Sequence, residues 1–129
     1  MNERELALRR AVMESFAATG EAPAVDDAET LRALADQHVV VLDDEGQVAM
    51  AHPFAAHRRG ARVEAGGRTW WGNCAWDAFG IVAALGLDEA LVTDASAATV
   101  AFRGGRPADD GLFHVALPAR QWWADIGFT

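Results

Sequence analysis

Arg68-Thr69-Trp70-Trp71-Gly72-Asn73-Cys74-Ala75-Trp76-Asp77-Ala78-Phe79-Gly80 contains the change of period on which the fold turns. Arg62-Val63-Glu64 and Arg68-Thr69-Trp70 flank Ala65-Gly66-Gly67 and read as a hairpin. Directly after it, Asn73 to Leu85 reads as an apolar helix closed by Gly86. With Asn73 as the expected cap, Cys74 falls in the first turn, where free backbone N–H groups and the helix dipole favour a thiolate. Cys74 and Asp77 are i and i+3, so they share a helix face. A soft sulfur beside a carboxyl group, walled by Trp70, Trp71 and Trp76, can bind a soft metal and deliver a proton beside it. The same residues have a plainer use. A lone Cys in an apolar helix also packs, an Asp in a first turn also serves the dipole, and Trp builds cores.

Upstream, residues 3–18 read as a helix with Leu6, Val12, Met13 and Phe16 on one stripe and Gly20 past its end. Asp26-x-x-Glu29 fits a capping box for a second helix through Leu31, Leu34 and Ala35 to Gln37. Val39 to Leu42 and Gln47 to Ala51 flank the turn Asp43-Asp44-Glu45-Gly46, and Pro53 opens a connector. Helix, helix, hairpin is the outline of a shortened winged-helix unit. Downstream, 90–94, 98–103 and 111–117 read as strands. The expected fold is α+β: a winged-helix-like unit, 1–52, packed on a mainly antiparallel sheet, 53–129, whose helix carries Cys-x-x-Asp.

The chain has 129 residues, enough for one compact domain or two small units sharing a core. Hydrophobic residues make up 51% and charged residues 23%, which excludes a disordered or fibrous chain. No apolar run approaches a membrane span, and MNERELALRR lacks the apolar core of a secretory signal. A cytoplasmic protein is expected. Nineteen acidic residues against eleven Arg give a net charge of −8. Residues 1–52 alone carry eleven acids and four Arg, a balance of −7. That repels a polyanion, so nucleic acid is not the expected partner and the winged outline reads as a packing module. One cysteine excludes an intramolecular disulfide and a multi-Cys zinc site. His38, His52, His57 and His114 lack metal-ligand spacing. His52 and His114 read as hydrogen-bonded structural residues, and Arg58-Arg59 as a solvated pair able to attract an anionic substrate or thiol. The double glycines read as turns, without the helix and Lys of a phosphate loop.

The stretch His52-Pro53-Phe54 through Gly67-Arg68-Thr69 and on to Gly80-Ile81 resembles the alkylmercury lyase (organomercurial lyase) family. In that family a Cys-x-x-Asp motif opens a helix just after a short hairpin. The two-helix start is similar, as is the closing Leu117-Pro118 followed by Trp122-Trp123-Ala124-Asp125-Ile126-Gly127-Phe128-Thr129. The resemblance implies protonolysis of a carbon–mercury bond. Cys74 would be the thiolate that captures the organomercurial, sulfur being soft enough for Hg(II). Asp77 would shuttle a proton to the leaving carbon. The family pattern has a second cysteine beyond the segment matching Trp122 to Thr129, so the likeness is to a short member or a truncated chain. No cofactor is implied, but an external thiol could replace the second sulfur. The same pocket could instead hold a soft metal or thiol-reactive molecule without cleaving it, or the scaffold could serve other Cys/Asp chemistry. A regulator that senses through Cys74 is weakened by the acidic N-terminal unit. The apolar ending, Trp122 to Phe128, is expected to pack on its own sheet or on a second copy of the chain.

Overall fold

A computed structural model describes residues 1–108. The expected strand 111–117, His114 and the Trp122 to Thr129 segment lie outside these residues. Helix α1 spans Glu3–Thr19. Its start is a reciprocal capping box, in which Asn2 accepts the Glu5 N–H at 2.9 Å while the Asn2 N–H reaches the Glu5 carboxylate at 3.3 Å. Val12 and Phe16 are buried, whereas Leu6, expected on the same stripe, is exposed. Gly20 closes α1 at φ +74° and donates to the Phe16 carbonyl at 2.8 Å. A Cβ there would also stand 2.5 Å from the Thr69 carbonyl oxygen, so glycine is required twice over.

Helix α2, Ala28–Asp36, is capped one residue later than the sequence suggested. Asp27, not Asp26, accepts both the Thr30 N–H at 3.0 Å and the Thr30 hydroxyl at 2.6 Å. Glu29 takes no part in that cap. After α2 the first strand is shorter than expected. His38 adopts φ +59° and Val39 donates to the Leu34 carbonyl at 2.9 Å, so the helix end claims these residues before extended pairing begins.

Strands β1 (Val41–Leu42), β2 (Val48–Ala51) and β3 (Phe54–Ala55) form a three-stranded antiparallel sheet. The connector expected after Pro53 thus contains a paired strand. Phe54 stacks on Phe16 with ring centroids 5.4 Å apart and planes within 4°, which explains why the chain turns back there. His52-Pro53, joined by a cis peptide bond, turns β2 into β3.

The second sheet has the order β5-β4-β6-β7-β8, antiparallel throughout. Its strands are β4 (Ala61–Ala65), β5 (Arg68–Gly72), β6 (Ala90–Thr93), β7 (Thr99–Arg103) and β8 (Arg106–Pro107). Helix α3, Ala75–Ala84, follows β5 and precedes β6. The register aligns Val63 with both Trp70 and Val92, and Val92 with Val100, so these side chains share one face. Against that face, α3 buries Ala78, Ile81 and Val82, and Phe79 meets Phe102 edge-on at 4.8 Å. Val12, Phe16, Leu31, Val63, Ile81 and Val92 belong to one buried cluster, so the N-terminal helices and the larger sheet share a core. The architecture is α+β with antiparallel sheets.

Candidate active site

Cys74 occupies the junction between β5 and α3. The sequence suggested Asn73 as cap and Cys74 in the first turn, but Cys74 is itself the cap residue, with φ −148° and ψ 176°. Its carbonyl accepts the Ala78 N–H at 3.0 Å, while its side chain makes no capping hydrogen bond. Asn73 turns elsewhere. Its Oδ1 lies 3.0 Å from His57 Nε2, and the Arg59 N–H donates to His57 Nδ1 at 3.2 Å. Because Nδ1 accepts, the ring hydrogen sits on Nε2 and is donated to Asn73. The 56–60 loop is thereby tied to the residue before the cysteine. Gly60 makes this contact closer still, since a Cβ there would meet the Gly72 and Asn73 carbonyl oxygens at 2.1 and 2.7 Å.

Asp77 stands one turn into α3. Its Oδ2 lies 3.5 Å from Cys74 Sγ, in the range of a weak S–H donor contact. Its Oδ1 lies 3.6 Å from His52 Nδ1, at the turn between β2 and β3. The carboxyl group is 15% exposed and the imidazole 34%, so the histidine is the outer of the two. Gly72 lets the helix approach: a Cβ there would be 2.9 Å from both Asp77 Cβ and the Ala78 nitrogen.

The Cys74 thiol is pushed above its ordinary pKa, chiefly by burial. The backbone N–H groups of Asp77 and Trp76 pull the other way, and the Asp77 carboxyl group adds to the rise. The helix terminus alone suggested a thiolate, but burial and the neighbouring carboxylate outweigh it. The resting sulfur is therefore a thiol, 3.5 Å from the Asp77 carboxyl group.

The three tryptophans are dispersed. Trp70 is buried and its indole N–H donates to the Ala17 carbonyl of α1 at 3.0 Å, so it serves the core. Trp71, next in the strand, points to the opposite sheet face, where the Arg62 guanidinium lies 6.0 Å from its ring. Trp76 is 62% exposed on α3. Adjacent strand residues cannot wall one pocket, and this is why the expected aromatic enclosure is not assembled by Trp70 and Trp71. His52 was read as structural from the sequence. Its contact with Asp77 crosses 25 residues of chain and needs the β2–β3 turn, which no local spacing reveals. Among the described residues no group of three or more His, Cys, Asp and Glu side chains is arranged to hold a metal ion. Two surface hollows, one along Arg32, Asp36 and Asp43 and one along Glu64, Glu89 and Arg103, are not lined by Cys74 or Asp77. No described helix is long and apolar enough to cross a membrane.

Residues 54–104, which include Cys74 and Asp77, match the family model of alkylmercury lyase. Among solved structures, that of the mercury-bound form of MerB2 aligns with a TM-score of 0.61 at 15% identity. The alignment covers 84% of this chain and 60% of that one, so the chain spans about three fifths of the length of the structure it matches. No curated protein sequence matches the chain. The chain thus resembles alkylmercury lyase over residues 54–104, and its fold is similar to that of MerB2.

Proposed function

We propose that the chain carries out organomercurial lyase chemistry at Cys74 and Asp77. The observation that carries this reading is the 3.5 Å approach of Cys74 Sγ to Asp77 Oδ2 at the opening of α3, inside the matched stretch. An organomercurial R–Hg–X would meet Cys74 as a thiol. The sulfur–mercury bond forms as X⁻ leaves, and the thiol proton passes to Asp77. Asp77 then returns that proton to the carbon of R. The carbon–mercury bond breaks, R–H departs, and Hg(II) stays on sulfur until a thiolate from solution takes it. The electron pair of the broken bond goes to carbon, so nothing is oxidised or reduced. Trp76, exposed beside the pair, is the aromatic residue best placed to meet the organic group.

The test is a single turnover with phenylmercury, following benzene in the headspace and protein-bound mercury by intact mass. Cys74→Ser is run in parallel, with and without excess small thiol. Benzene release that depends on Cys74 is expected. A mercury adduct without benzene would favour the second reading, capture of a soft-metal or thiol-reactive ligand without cleavage. That reading is supported by the single cysteine, because one sulfur suffices to hold mercury.

The remaining assignments belong to the same proposal. Residues 1–52 act as a winged-helix-like packing unit on the 53–129 core, and their −7 balance disfavours nucleic acid. The protein works in the cytoplasm, where small thiols supply the external sulfur. A second copy is the partner proposed for the apolar 122–128 run, and light scattering checks it.

A further inference from the structure

We propose that His52 is a positioning residue that orients the Asp77 carboxyl group, holding Oδ1 so that Oδ2 faces Cys74. This rests on the lyase reading of the Cys74–Asp77 pair. A carboxylate on a helix turns freely about its terminal torsion unless both oxygens are engaged. Here they are divided, with Oδ2 3.5 Å from Cys74 Sγ and Oδ1 3.6 Å from His52 Nδ1.

The hairpin turn that carries His52 is seated on the same helix face. A Cβ at Gly80 would lie 3.2 Å from Pro53 Cβ, and Gly80 is i+3 from Asp77. Pro53 therefore rests on α3 one turn beyond the carboxyl group that its neighbour His52 reaches. Glycine at position 80 lets the turn come this close. The imidazole is the more exposed of the two side chains. His52 lies just outside the family-matched stretch, which begins at Phe54, so the contact joins the motif-bearing helix to the other sheet.

The experiment compares wild type, His52→Ala and His52→Asn in single turnovers with phenylmercury. Formation of the Cys74 adduct and release of benzene are timed separately, and melting temperatures are measured alongside. In His52→Ala, benzene release slows about tenfold, the lower end of what a lost orienting partner costs, while adduct formation stays within a factor of two. His52→Asn, whose amide N–H can replace the ring N–H, recovers most of the rate. Equal slowing of both steps with a lowered melting temperature, or no slowing of release, would overturn the proposal.

A second measurement does not depend on turnover. Two-bond ¹H–¹⁵N spectra of the labelled protein should show the His52 ring hydrogen on Nδ1, and in Asp77→Ala it should move to Nε2. If wild type releases no benzene but this tautomer change is seen, the lyase reading fails and the positioning contact stands. A His52 tautomer indifferent to Asp77 overturns the positioning role whatever the turnover result.

Discussion

Replacing Gly72 by Ala tests whether the closeness of β5 and α3 sets the site. Gly72 has no positive φ among its requirements, so only space is at issue. The added Cβ would stand 2.9 Å from Asp77 Cβ, 2.9 Å from the Ala78 nitrogen and 3.1 Å from the Asp77 carbonyl carbon. Carbon contacts relax near 3.5–4.0 Å, so the first turn of α3 must retreat by roughly 0.6–1 Å. All three obstructing atoms belong to the helix backbone or to Cβ, so no flexible side chain can absorb the move. Overpacking of this kind costs about 1–3 kcal/mol. At roughly 4 °C per kcal/mol for a chain of this size, the melting temperature falls by about 4–12 °C. The same retreat carries Asp77 away from Cys74, which is the residue before the turn that moves. A misplacement of that size slows benzene release by about 10²-fold. Alkylation of Cys74 by iodoacetamide, which needs no proton delivery, should change far less. Gly46→Ala is the control: that glycine has φ +77° and nothing within 4 Å, so it strains the backbone without touching the site. Calorimetry and the phenylmercury assay read both variants. A Gly72→Ala protein with wild-type melting and wild-type release would refute the argument.

Three further outcomes are expected. Asp77→Asn removes a carboxylate that raises the Cys74 pKa, so the pH at which alkylation accelerates should move down; an unmoved or higher inflection contradicts this. The Asp94 carboxylate is held below its ordinary pKa, first by the Ser96 hydroxyl; burial opposes this, and the Ala98 and Ser96 N–H groups lower it further. Its stabilisation is therefore present above the ordinary Asp value and lost as pH falls through the lower folded value. The melting difference between wild type and Asp94→Asn should shrink over that acid range, and a constant difference would show that the charge is not the cause. Trp70→Phe deletes the 3.0 Å bond to the Ala17 carbonyl and should cost about 1 kcal/mol in denaturant unfolding. Cys74 alkylation should be unaffected, and a changed alkylation rate would mean that Trp70 reaches the site.

Local signals were legible in the sequence, and contacts between distant segments were not. The Gly66-Gly67 turn with alternating Val63 and Trp70 marked the β4–β5 hairpin, and the apolar run to Leu85 marked α3. Cys74 and Asp77 were legible together because their contact is made by helical spacing alone. The cap was misplaced by one residue because Asn73, a good capping residue by type, is engaged by His57 from another loop. Strand β3 was read as connector because its reason for pairing, the Phe16–Phe54 stack, joins residues 38 apart. Trp70 and Trp71, adjacent in β5, alternate between the sheet faces, so composition alone does not place them in one wall. His52 was invisible as a site residue for the same reason as β3, since only the folded hairpin brings it to α3.

The end of α1 has no basic residue of its own. Instead β5 supplies the donors: Trp70 to the Ala17 carbonyl, and Arg68 to the carbonyls of Ala17 and Ala18. Arg68 also lies over the Trp70 ring at 5.2 Å. These side chains alternate with Thr69 and Trp71, so α1 reads the parity of the strand. A slip of one residue between β4 and β5 would turn Trp71 inward, strand the α1 carbonyls and displace Cys74 by about 3.4 Å along the strand. The N-terminal helix is thus a gauge for the hairpin, setting how far along its strand the chain must run before the cysteine appears.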